Sequence, residues 1–120
     1  MNEVKNIMVI DDDPAILDSI GMLLEFEGYR VTVCSDAAGL LLMESELPDL
    51  LLLDIWMSGT DGRDICKQLK QKSSTKNIPV VLISASREIE KSAKQAGAND
   101  FLSKPFELDD LLRKVEMHIR

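Results

Sequence analysis

Three carboxylates, a hydroxyl and an amine stand at the ends of short apolar runs in this sequence. Asp11 and Asp12 follow Ile7 to Ile10, Asp54 follows Leu50 to Leu53, Ser84 follows Val80 to Ile83, and Lys104 comes just after Phe101 and Leu102. If those runs are strands of one sheet, the polar groups share one rim. Carboxylates packed within several ångströms repel by on the order of 3 kcal/mol per pair at an effective dielectric of about 20. A cation therefore belongs among them. The candidate ligands are all oxygens, with no His or Cys in the set, which favours a hard divalent ion such as Mg²⁺ over zinc or copper. Mg²⁺ takes one or two carboxylates and completes its shell with water and phosphate oxygens, so a phosphoryl ligand is half implied. A carboxylate can itself attack phosphorus to give an acyl phosphate, while metal and lysine neutralise the charge that builds. Asp54 suits the nucleophile's role, Lys104 that of a point charge on the phosphate, and Ser84 that of a hydrogen-bond donor to it.

The elements that must position this set alternate along the chain. The run from Ile7 is too short for a helix and reads as a buried strand. Asp13 and Pro14 read as N-cap and first helical position, and Ile16, Leu17, Ile20, Leu23 and Leu24 recur at helical spacing until Gly28. A strand near Tyr29 to Cys34, a helix near Ala37 to Ser45 and the run into Asp54 and Ile55 repeat the pattern. Next come a glycine-bearing loop, Ser58 to Gly62, and a polar helix near Arg63 to Lys72. After the strand that ends at Ser84, Ile89, Ala93 and Ala96 mark a weakly apolar helix closed by Gly97. Phe101 and Leu102 form the last strand, and Leu108, Leu111, Leu112 and Val115 stripe a terminal helix. Five strand-helix units without an internal linker predict one domain over 1–120. Strands apolar on both faces predict an open, doubly wound α/β sheet, parallel and covered on both sides, whose ligands sit beyond the carboxyl ends of its strands.

Composition narrows the functions. The 120 residues carry 21 acidic and 14 basic side chains, a net charge of −7, which repels nucleic acid phosphates and argues against direct DNA or RNA binding by this segment. Neither a signal-peptide pattern nor an apolar run of membrane-spanning length is found, so no membrane role and a cytoplasmic location are expected. Cys34 and Cys66 lie far apart with no partner ligand near either, and both read as buried small hydrophobes.

The strings MVIDDDP, LLLLDIWMSGTDG and FLSKPF, with the pair Ser84 and Ala85, resemble the receiver domains of two-component response regulators in order and spacing, over nearly the whole chain. The resemblance implies a flavodoxin-like fold, a five-stranded parallel sheet in the order 2-1-3-4-5. It implies a phosphorelay switch of the chemotaxis-regulator kind rather than an enzyme with a substrate of its own. Asp54 resembles the phosphoacceptor. Asp12 and Asp54 would touch Mg²⁺ directly, Asp11 through water, and the Trp56 backbone carbonyl would complete the protein ligands. Ser84 would move toward the phosphoryl group and Phe101 turn inward behind it, changing the face formed by the last two helices and strands, where an output domain or partner would dock. The bond before Pro105 would be cis. His118, the only histidine, lies on the terminal helix away from the carboxylates, so the phosphodonor must be another protein, a sensor histidine kinase or a histidine phosphotransfer protein.

Two departures from the family's pattern stand out. Ser58 replaces a usual proline, and Trp56 puts a bulky ring two residues after the acceptor, where it could shield an acyl phosphate from water or anchor a partner. Plainer readings exist for each residue: Asp11 to Asp13 as a helix cap, Lys104 as a solvated lysine, Ser84 as a strand-end hydroxyl, Phe101 as core. Among rival functions, a haloacid-dehalogenase-like phosphatase needs its nucleophile and a DxDx motif after the first strand, where this chain has Asp11, Asp12, Asp13 and Pro14. A flavodoxin-like electron carrier needs Ser, Thr and amides where this loop is acidic. A receiver used only as a phosphorylation-independent docking module lacks any feature here to favour it.

Overall fold

A computed structural model describes residues 4–40, 46–57, 59–85 and 90–119. The chain runs β1 (Asn6–Ile10), α1 (Pro14–Phe26), β2 (Arg30–Cys34), β3 (Leu50–Asp54), β4 (Trp56–Met57), β5 (Thr60–Asp61), α2 (Gly62–Gln71), β6 (Val80–Ser84), α3 (Glu90–Gln95), β7 (Asp100–Ser103) and α4 (Leu108–His118). The five longer strands form one parallel sheet in the order β2-β1-β3-β6-β7, which is 2-1-3-4-5 when those strands alone are counted.

The central strands explain the architecture. Every residue of β3 and β6 is buried, as a strand covered on both faces requires. Alternation then sorts their side chains. Leu51, Leu53, Val80 and Leu82 pack with Ile65, Cys66 and Leu69 of α2 and Ala93 of α3, whereas Leu50, Leu52, Val81 and Ile83 pack with Leu17, Ile20 and Leu24 of α1 and Leu111 and Val115 of α4. The sheet thus divides two apolar layers. Each fully buried leucine contributes about 1.5–3 kcal/mol by leaving water, so the strand that ends in Asp54 is among the most firmly held.

Local signals act as expected at α1: Asp13 is extended, its carboxylate accepts from Ala15 N at 3.0 Å, and Pro14 begins the first turn. Gly28 and Gly97 end their helices with φ of 97° and 85°, the left-handed backbone that side chains disfavour. Three expectations need correction. Thr60 and Asp61 do not lie in an open loop but pair antiparallel with Trp56 and Met57, and Gly62 already belongs to α2 because Asp61 caps it. Lys104 follows β7 rather than closing it. Cys34 is half-buried on an edge strand, and only Cys66 is fully buried. In the expected second helix, Ala37 to Leu40 form a turn, while 41–45, Ser58 and Ile89 lie outside the described residues.

The far ends of the strands are tied down. Lys70 Nζ donates to Ile78 O at 2.7 Å, to Lys76 O at 3.3 Å and to Asn99 Oδ1 at 2.8 Å, and Asn99 Oδ1 also accepts from Val80 N at 3.0 Å. One lysine so fastens the end of α2 to the starts of β6 and β7.

Candidate phosphoryl and metal site

The opposite rim collects the charged groups. Asp11 follows β1, Asp54 ends β3, Ser84 ends β6 and Lys104 follows β7, so the parallel register delivers residues up to 93 positions apart to one place. One carboxylate oxygen from each of Asp11, Asp12 and Asp54 lies within 4.8 Å of the others. Asp11 and Asp54 are buried and Asp12 is exposed, so the cluster opens to solvent on the Asp12 side.

Each group is held. Asp11 Oδ1 accepts from Asp13 N at 2.9 Å, and Oδ2 accepts from Lys104 Nζ at 3.0 Å. Lys104 Nζ also stands 3.5 Å from Asp54 Oδ1. Its own backbone N–H donates to Ser84 O at 2.7 Å, which fixes the start of its side chain at the rim. The lysyl peptide bond to Pro105 is cis, as the resemblance implied. The ammonium is pulled down by burial, but the Asp11 and Asp54 carboxylates outweigh this and raise its pKa.

Electrostatics mark Asp54 as strained. Burial first and the Asp11 carboxylate second push its pKa up to about 6, against the opposing pull of Lys104. One ammonium does not balance three carboxylates. The donors are all hard oxygens with an open side, and the group lacks one to two positive charges, so it fits a divalent ion of the Mg²⁺ kind.

Around this centre, Ser84 is buried and pairs in register with Ser103. Phe101 pairs with Leu82, two residues before Ser84, so parity puts Phe101 and Ser84 on the same face of adjacent strands. Phe101 is half-buried, with Lys114 Nζ 5.3 Å from its ring centroid. Trp56, beyond the end of β3, keeps 60% of its surface exposed.

A model of the response regulator receiver domain matches residues 7–116. The chain belongs to that family. It is 36% identical over 117 residues to the "DNA-binding dual master transcriptional regulator RpaA" of Synechocystis, covering 95% of this chain and 48% of the relative. It spans about half the length of the curated relatives it matches. Among solved structures, a response regulator described as putative from Chloroflexus aurantiacus superposes with a TM-score of 0.90 at 30% identity, covering 98% of both chains. A CheY-like receiver domain protein from Methanospirillum hungatei gives 0.86 at 32% identity, covering 98% of this chain and 94% of that one. The receiver domain is a signalling domain of two-component systems, with the CheY-like fold seen in this sheet. The phosphatase reading finds no support: Asp54 ends β3, not β1.

Sequence reasoning missed two arrangements. Asp61 holds the Arg63 side chain over the Trp56 ring, for which Asp61 followed by Gly62, a capping signal, was a readable clue. Asp100 Oδ1 accepts from Lys114 Nζ at 2.8 Å and Asp100 Oδ2 lies 2.9 Å from His118 Nε2, so the histidine left without a role stands beside a carboxylate at the base of β7. Among the described residues, no helix is long and apolar enough to cross a membrane.

Proposed function

We propose that this chain, as one receiver unit, accepts a phosphoryl group on Asp54. The observation that supports this most is the buried Asp54 carboxylate facing both a second buried carboxylate and the Lys104 ammonium 3.5 Å away. Asp54 is the nucleophile: a carboxylate oxygen bonds to phosphorus, and the bond from phosphorus to the donor atom breaks with its electron pair leaving on the donor. A pKa of about 6 leaves Asp54 mostly ionised at pH 7 and so competent to attack. Lys104 exchanges part of its hold on Asp11 for the arriving phosphate oxygens, and the Ser84 hydroxyl donates to them. Asp12, Asp54 and the Trp56 carbonyl would hold Mg²⁺ directly and Asp11 through water, and the ion would neutralise charge on the transferring group.

The donor is a sensor histidine kinase or histidine phosphotransfer protein, in the cytoplasm with this domain. The switch runs from Ser84 to Phe101, whose shared face supports it, and outward to β7 and α4. An output region beyond the receiver, of the DNA-binding kind named for RpaA, is consistent with the half-length match. The receiver itself turns over no other substrate.

Intact-mass spectrometry after incubation with acetyl phosphate tests the reading. A single phosphoryl adduct on the native chain, dependent on Mg²⁺ and absent from Asp54→Ala, is expected. An adduct that persists in Asp54→Ala sinks the assignment of the acceptor.

A further inference from the structure

Asp100 gathers three donors around Phe101, and the charged rim uses none of them. Oδ1 accepts from the Phe101 backbone N–H at 2.8 Å and from Lys114 Nζ at 2.8 Å, while Oδ2 lies 2.9 Å from His118 Nε2. Burial works against the charge of Asp100, but the bonds from Lys114, His118 and the Phe101 amide outweigh it and lower its pKa. The carboxylate is therefore ionised at neutral pH and can only accept, so the proton of the last bond sits on Nε2. Lys114 and His118 stand four residues apart on α4, neighbours on one helix face, which lets a single carboxylate hold both.

The cluster fixes where the lysine's charge lies. A lysine head on its four-carbon stem is ordinarily free to wander, but this one is pinned by Asp100 and stands 5.3 Å from the centroid of the Phe101 ring, within cation–π range. The contact joins two sides of the molecule. Phe101 packs against the apolar layer of α2 and α3, whereas Leu111 and Val115 of α4 belong to the layer on the other face of the sheet. β7 is the edge strand, so Lys114 reaches the ring past the edge. Backbone and ring of Phe101 are thus both tied through one carboxylate.

We propose that Lys114 is a positioning residue that restrains Phe101: pinned by Asp100, its ammonium holds the ring in the place described, and a ligand that fills the Asp54 site must overcome that hold. This rests on Asp54 being the acceptor and on the switch that runs from Ser84 to Phe101. The cation–π contact belongs to the empty state and is given up when the ring turns inward. An interaction made only in the empty state weakens binding at the site, and its removal strengthens binding by the same factor. Loosening the cluster therefore acts with opposite signs: the fold loses stability while the Asp54 site gains affinity. A purely structural ion pair would give the first effect without the second.

The test titrates the whole chain with beryllofluoride, which takes the shape of a phosphoryl group on a carboxylate oxygen, in Mg²⁺ at neutral pH. Fluorine NMR counts the bound complex, and urea melts in EDTA give the stability of each variant. Loss of one cation–π contact corresponds to about a two- to fivefold gain in affinity in Lys114→Gln. Asp100→Asn, which releases Lys114 and leaves the ring intact, gains by a similar factor although its fold is weaker. Lys114→Arg keeps a cation for both Asp100 and the ring and binds as native protein does. Affinity in Lys114→Gln equal to or below the native value overturns the proposal. So does a gain from Lys114→Gln that is undiminished in a Phe101→Leu background, because the lysine then acts by another route. Failure of the underlying readings is separately visible: a native chain that binds no beryllofluoride and forms no adduct with acetyl phosphate removes the acceptor, and one that binds it with the Phe101 ring proton signals unmoved removes the switch.

Discussion

Lys104 Nζ sits 3.0 Å from Asp11 Oδ2, an ion pair that joins the first and last strands of the sequence across a rim where Asp11 is buried. The lysine is the cation that the fold itself places among these carboxylates. Lys104→Met leaves Asp11 and Asp54 facing each other without it. Removing one partner of a largely buried pair costs about 2–4 kcal/mol, less than for a fully buried one because the Lys104 side chain is 21% exposed. Urea denaturation in EDTA should show that loss, and millimolar Mg²⁺ should recover a larger increment in Lys104→Met than in native protein. Equal stability of the two proteins in EDTA would mean the pair is energetically idle.

Asp54 gives a pH dependence of known sign. Its folded pKa of about 6 lies above the ordinary 3.8, so the native state holds a proton through a range where the unfolded chain has lost it. Unfolding then releases a proton between about pH 4 and 6, and each step upward in pH favours the unfolded state. In metal-free buffer, Asp54→Asn should match native stability near pH 4 and exceed it by about 2 kcal/mol near pH 7. Thermal or urea melts across that range check it; a difference that shrinks with rising pH would reverse the assigned sign.

Asp100 works in the other direction. Burial would raise its pKa, but hydrogen bonds from Lys114, His118 and the Phe101 amide outweigh burial and lower it. The stability it contributes is present above the ordinary carboxylate range and is lost as pH falls through the lowered folded value. Asp100→Asn should therefore be less stable than native protein at pH 7 and lose less on acidification. Lys114→Met should cost about 1–2 kcal/mol at pH 7 by removing a charged donor, and chemical denaturation at pH 7 measures it.

Gly62→Ala probes the contact beneath the Asp54 backbone. A Cβ at this position meets the Asp54 carbonyl oxygen and lies 2.9 Å from Ile55 Cα, both backbone atoms with little room to shift. A loss of about 2–3 kcal/mol is expected from such overpacking, together with slower phosphorylation if Asp54 is the acceptor proposed above. Gly39→Ala, with open space around it, is the control and should change stability by no more than about 0.5 kcal/mol. Circular dichroism melts and the adduct assay read both quantities.

Asp11, Asp12, Asp54, Ser84 and Lys104 were legible because strand-end position follows from local periodicity and parallel topology, and topology converts order along the chain into nearness on a rim. The match of DDDP to a cap was equally local, since Asp13 needs only its own neighbours. The Arg63 and Trp56 stack depends instead on a ribbon of two-residue strands, too short for any period to announce. The approach of His118 to Asp100 depends on how α4 is rotated over β7, which the sum of many packing contacts decides. Cys34 was misjudged for a related reason: β2 is an edge strand, and its composition does not say which edge is covered.

The Lys70 anchor gives the sheet a mechanical asymmetry. With the starts of β6 and β7 stapled to α2 by three acceptors, these strands behave as beams built into a wall at one end. Sliding one past the other would break the staple, so load applied at the charged rim is taken up by bending near the free tips and by the loops beyond them. Amide exchange should accordingly be slowest near Val80 and Asn99 and quicken toward Ser84 and Ser103, a gradient of stiffness along the two strands.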